Sequence, residues 1–211
     1  MKKNYRRAKE ILVIAVLTLT GFVGCVNSSN SNTKPAVRDT MAQSQPESAN
    51  DSTPASAAAP DISLTDAAVA GDVEAIRQHI AAGTDLNERN PEGGSTALIA
   101  AASFGQNEAA SCLIEAGAEL ELKNNEGSTA LHTAAFLCRK EIVKALLAKG
   151  ADRNARNNSG LTALDSVAGP FDDVKPIYDL IQGILGPYGL ELDYESIKET
   201  RPMIAKILRA E

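Results

Sequence analysis

The chain has 211 residues, 21 of them basic and 27 acidic, for a net charge of −6. Five of the basic residues fall among the first nine positions, and past residue 25 the net charge is −10. An acidic body of that kind argues against binding nucleic acid and against electrostatic adhesion to anionic lipid.

The first element is an address. Lys2, Lys3, Arg6, Arg7 and Lys9 precede an apolar run of 14 residues, Ile11 to Gly24. A bilayer span needs roughly 20 residues, so this run reads as a secretory signal. It ends in Phe22-Val23-Gly24-Cys25, which resembles the lipobox of bacterial lipoproteins. The resemblance implies a signal peptide over 1–24. It also implies a diacylglyceryl group on the thiol of Cys25, which becomes the mature N-terminus. Phe22 stands where leucine is usual in that family. Two or more acyl chains hold a protein at a membrane where one does not, so the lipid, not charge, makes the membrane contact.

Residues 25–60 read as a linker. Of the 35 residues from Val26 to Pro60, 25 are Ser, Thr, Asn, Pro or Ala, and none is Leu, Ile, Phe or Tyr. Such a segment has too little apolar surface to fold. A flexible chain of that length spans roughly 30–35 Å.

The body of the chain repeats. Thr96-Ala97-Leu98, Thr129-Ala130-Leu131 and Thr162-Ala163-Leu164 lie 33 residues apart, and Gly83, Gly117 and Gly150 keep the same beat with steps of 34 and 33. A period of this size means a stacked repeat protein with an open surface. Ahead of the glycines run Ala75-Ile76…Ile80, Ala109-Ala110…Leu113-Ile114 and Ile142-Val143…Leu146-Leu147, each the apolar face of a helix. Shorter alanine-rich helices precede the last two, at Ala100-Ala101-Ala102 and Ala134-Ala135. Asn90-Pro91-Glu92-Gly93-Gly94, Asn124-Asn125-Glu126-Gly127 and Asn157-Asn158-Ser159-Gly160 read as turns, with Asn and Gly supplying positive φ or a tight closure.

Thr129-Ala130-Leu131-His132-Thr133-Ala134-Ala135 with the later Gly-Ala-Asp resembles the ankyrin repeat, and the resemblance covers roughly 62–185. It implies a mainly α fold: an ankyrin-repeat solenoid of about four helix-pair repeats with short turn fingers and a C-terminal capping helix. The repeat domain is placed at 61–190 and the capping helix at 191–211. Ala97, Ala130 and Ala163 replace the family's proline. Cys138 stands at the position of Gly71 and Gly105, where the family glycine is left-handed, a conformation that costs another residue roughly 1–2 kcal/mol. The pattern fails after Ala168, and a helix from about Val174 to Leu185 reads as the second helix of the fourth repeat. The last helix contains Pro202 and is expected to be kinked or split, with Thr200 as a cap. His79 reads as a surface residue of the end repeat, and His132 as the family histidine that organises backbone hydrogen bonds.

No chemistry is expected. The two histidines lie on different repeats, no Cys or Asp cluster has metal-ligand spacing, and no phosphate loop or catalytic triad stands out. The expectation is no enzyme, no catalytic residue, no cofactor and no metal. A disulfide between Cys112 and Cys138 is not expected, given the separation of their helix positions. A reactive Cys138 is the one redox alternative, and it requires a low-pKa thiolate.

In the family a partner meets the concave face, made of finger tips and short helices. The matching residues are Phe104, Phe136 and Leu137 after the paired alanines, the basic row Arg89, Lys123 and Arg156, and Asn125, Glu126 and Asn158 at the tips. Packing against the adjacent repeat is the competing reading of the two phenylalanines, and a solvated face that of the basic row. These residues point to a monomer bound to an unidentified protein partner, without nucleic acid, tethered by lipid in the bacterial cell envelope. The alternative is an inhibitor or immunity-type protein that neutralises an envelope-targeted toxin. By the sorting habit of the lipoprotein family it resembles, Val26 rather than aspartate after Cys25 implies the outer membrane, facing the periplasm, over the inner membrane. A host with one membrane would display the chain on the cell surface.

Overall fold

The computed structural model describes residues 59–91 and 93–210. The signal, Cys25 and all but the last two residues of the linker lie outside them. Eight α-helices and no strands occur among the described residues: α1 Leu64–Ala70, α2 Val73–Ala81, α3 Ala97–Phe104, α4 Asn107–Glu115, α5 Ala130–Phe136, α6 Lys140–Ala148, α7 Phe171–Leu185 and α8 Tyr194–Arg209. A 3-10 turn at Gly186–Tyr188 follows α7.

The short helices α1, α3 and α5 stack in one row and the amphipathic helices α2, α4 and α6 in a second. Alanine sets the inner spacing. Ala100, Ala101 and Ala102 of α3 and Ala134 and Ala135 of α5 are at most 1 % exposed, so α3 is buried on every side. The outer row buries one face each: Ile76, then Ala110 and Leu113, then Val143 and Leu146, all fully enclosed. Side chains just ahead of α4 and α6 also close the inner helix of the preceding repeat. Gln106 Nε2 donates to Val69 O at the end of α1 (2.9 Å), and Arg139 Nη2 to Ser103 O at the end of α3 (3.3 Å). These satisfy carbonyls that a helix terminus leaves open.

The helix starts are capped as the sequence allows. Thr96 Oγ1 accepts from Ile99 N. At α5, Thr129 N donates to His132 Nδ1, and His132 Nε2 reaches Leu161 O in the next repeat (3.1 Å). Asp165 takes the equivalent position one repeat later, accepting from Thr162 N (2.9 Å), while Asp165 N donates to Thr162 Oγ1. That is a reciprocal cap. The segment 163–167 is a run of turns rather than a helix.

Three expectations need correction. His79 is not a surface residue: it is 5 % exposed, with Nε2 donating to Ile62 O (2.8 Å) and Nδ1 accepting from Thr84 Oγ1 (3.1 Å). It ties the entering chain to the first repeat. The helix over 174–185 is not the outer helix of the fourth repeat. The outer row continues from α6 to α8, and Ile204, Ala205 and Leu208 join the same core as Ile142 and Val143. Helix α7 is an insertion that builds a second core with Leu137, Leu190 and Ile197. Nor is α8 split at Pro202. It runs unbroken from an Asp193 cap whose side chain accepts from Glu195 N and Ser196 N. Pro202 forfeits one helix hydrogen bond, but it lies on the exposed side.

Candidate functional site

Three fingers project from the stack, each ending in one of the Asn-led turns. Their geometry comes from asparagine side chains rather than from asparagine at positive φ. Asn90 Oδ1 accepts from Gly93 N and Ser95 N, Asn124 Oδ1 from Glu126 N and Ser128 N, and Asn157 Oδ1 from Ser159 N and Leu161 N, all between 2.8 and 3.2 Å. Among the described residues the only non-glycine at positive φ is Cys138. Each asparagine thereby binds both sides of its turn. The 34- and 33-residue spacing of Asn90, Asn124 and Asn157 was the signal that could have singled them out.

The tips are linked to one another. Asn125 N donates to Gly93 O (3.1 Å), and Asn158 N to Glu126 O (3.0 Å). Asn158 Nδ2 donates to Asn125 O (2.9 Å). Lower on the fingers, Asn87 and Glu119 exchange two bonds and Glu121 accepts from Asp152 N. Gly127 shows how tight the fit is. A Cβ there would come 2.4 Å from Asn158 Oδ1 and 2.8 Å from Asn158 N, and its φ of +72 is left-handed. The chain therefore needs glycine at that point.

The expected site residues divide in two. Arg89, Lys123, Asn125, Arg156 and Asn158 are exposed on the fingers. The basic row also braces them: Arg89 Nε donates to Gly94 O (3.0 Å), Arg156 Nη1 to Gly160 O (2.6 Å) and Lys123 Nζ across to Arg156 O (3.0 Å). The remaining residues are turned inward. Glu126 is 6 % exposed and one carboxylate oxygen has no partner. Burial pushes its pKa up, opposed by its own backbone N–H. Leu137 is 6 % exposed in the second core. Phe136 stacks on Tyr178 with centroids 5.0 Å apart, and Phe104 packs against the same cluster. Helix α7 thus covers the aromatic positions from within the chain, which is the packing reading of the two rings. The physical reason is the insertion itself, whose apolar side needed a surface to bury.

Beneath α7 lies a buried polar chain. Tyr178, fully enclosed, donates to Phe136 O (2.5 Å) at the end of α5, and Arg201 Nη1 donates to the Tyr178 hydroxyl (3.0 Å). Arg201 Nη2 donates to Gly169 O (3.1 Å). Burial raises the pKa of Tyr178, so it stays a neutral phenol. Cys138 adjoins this group, its sulfur 3.9 Å from Phe136 O and 3.8 Å from Ile197 O. Burial pushes its thiol up to about 11 against the smaller downward pull of Arg201. A thiol held there is a poor nucleophile, which counts against the reactive-cysteine alternative. Both described cysteines are free. Tyr178 and Arg201 fall outside the repeat register, and no sequence pattern marked them.

Among the described residues no cluster of three or more His, Cys, Asp or Glu could hold a metal. None of the described helices is long and apolar enough to cross a membrane. A family model described as ankyrin repeats, in three copies, matches residues 64–166. No curated protein matches the chain.

Proposed function

Residues 64–166 are ankyrin repeats, a protein-interaction fold, and from that premise we propose that the chain is a lipid-tethered interaction module of the bacterial envelope. Its partner binds the finger tips around Arg89, Lys123, Asn125, Arg156 and Asn158. The observation that carries this reading is the bracing of the tips. Exposed side chains stand on turns fixed by backbone and asparagine bonds from one finger to the next, so little conformational freedom is lost when a partner docks. The row of three cations on a body of net charge −10 favours an acidic patch on that partner. Phe104, Phe136 and Leu137 support the face from behind rather than touching the partner. No enzymatic role is assigned to any residue.

The test is crosslinking in cells with a photoreactive residue at Asn125, compared with the same label in an Arg156→Glu background. The expected result is one dominant adduct that falls at least severalfold in the charge-reversed variant. An adduct of unchanged yield would place the partner elsewhere on the stack.

A further inference from the structure

A cavity of about 310 Å³ lies between the 167–172 segment and α8. Volumes of that order hold small ligands. Val167, Phe171 and Ala205 form an apolar side of its wall. The charged side is Lys198, Arg201 and Arg209, with Asp172 as the one acid, so the lining is two charges positive on an acidic protein.

Arg201 gives this cavity its chemistry. The side chain is 2 % exposed, and a guanidinium does not shed its proton in a protein. Its two Nη groups donate to neutral oxygens, those of Tyr178 and Gly169, and its Nε has no acceptor. The three ion pairs among the described residues involve Lys140, Lys144 and Lys175, so none of the cavity's cations has an acidic partner. A buried charge without a countercharge is costly. Lys198 and Arg209 are exposed, with their donors available at the mouth, while Arg201 supplies fixed positive charge beneath.

We propose that this cavity binds a carboxylate on a small apolar body, its oxygens taken by Lys198 and Arg209 over the buried Arg201 and its body against Val167, Phe171 and Ala205. Phosphate has no apolar body to set against Val167, Phe171 and Ala205, which leaves it at a disadvantage. The carboxylate belongs either to a free organic acid or to the C-terminus of a peptide. This site shares no residue with the finger tips, so either reading can fail without the other.

The test is titration of the full chain, in detergent micelles, with sodium benzoate while following the arginine Nε–H resonances by NMR. The expected result is a saturable shift of Arg201 with Kd on the order of 1 mM, weakened at least tenfold in Lys198→Glu/Arg209→Glu. Both positions are exposed, and an unchanged Tm verifies the variant's fold. Inorganic phosphate should bind more weakly than benzoate. A short peptide with an apolar last residue distinguishes the sources. Tighter binding than benzoate, lost on C-terminal amidation, assigns a peptide end, and equal binding assigns a free acid. No saturable shift, a shift unaffected by the double variant, or tighter binding of phosphate overturns the proposal.

Discussion

Cys138 holds φ +59 at the position where two earlier repeats have glycine at +71 and +74. Left-handed backbone costs a side chain roughly 1–2 kcal/mol, and here the sulfur's packing between α5, α7 and α8 offsets it. Replacing Cys138 with glycine removes strain and packing together, so its stability should stay within about 1 kcal/mol of the parent. Cys138→Val keeps the strain and adds a β-branch, and should lose more than about 1 kcal/mol in urea unfolding. His132 offers a second test. Burial lowers its pKa, and hydrogen bonds to the Leu161 and Ala155 carbonyls oppose the shift. The native histidine is therefore harder to protonate than the unfolded one. Its contribution is fully present above the ordinary value of 6.5 and is lost as pH falls from there toward the lower native value. His132→Gln can still accept from Thr129 N but cannot titrate. The stability difference between parent and variant, measured from pH 7.5 down to pH 5, should shift in the variant's favour. A difference that stays flat would mean the ring is protonated as easily in the fold as out of it.

At the scale of elements, α7 is where the reading of the sequence and the fold part. The period made α2, α4 and α6 legible because each repeats the same apolar spacing on a fixed beat. It also located Cys138 at a left-handed position and placed the fingers. It could not say which of two later helices extends the outer row, since both carry an apolar stripe and only packing chooses between them. Ile204, Ala205 and Leu208 match the core left open by α6, whereas Tyr178 and Ile181 match the surface around Phe136 and Leu137. The same ambiguity hid the fate of Phe136, whose exposure depended on a helix outside the repeat. Tyr178→Phe tests how firmly α7 is fastened. It keeps the ring stack and removes the hydroxyl shared by Phe136 O and Arg201 Nη1. Two buried groups lose a partner, and the expected cost is about 1–3 kcal/mol. A near-neutral result would show that water enters beneath α7.

For the whole molecule, the fingers and the helices make two parallel sets of contacts between neighbouring repeats. In such stacks stability is close to a sum of nearest-neighbour terms. Among the described residues, the second and third fingers share Lys123, Glu121 and Asn158 links, and the first and second share the Asn87–Glu119 pair and the Gly93 bond. The proposed lipid tether would be a property of the other end of the chain, at Cys25. Cys25→Ser should abolish incorporation of an alkyne fatty acid and release the protein from the membrane fraction, with the folded body unchanged by circular dichroism. Label retained in that variant would place the lipid elsewhere.

The placement of α8 also determines how this architecture can change over generations. Its inner side, Ile204, Ala205 and Leu208, reads the surface of α6, while Lys198, Glu199, Pro202, Met203 and Lys206 look outward. That outward side is mostly polar apart from Met203, so a unit added there finds less apolar surface to bury than one spliced between repeats that already present matching faces. A 33-residue unit spliced into the interior brings one more finger to the tip surface.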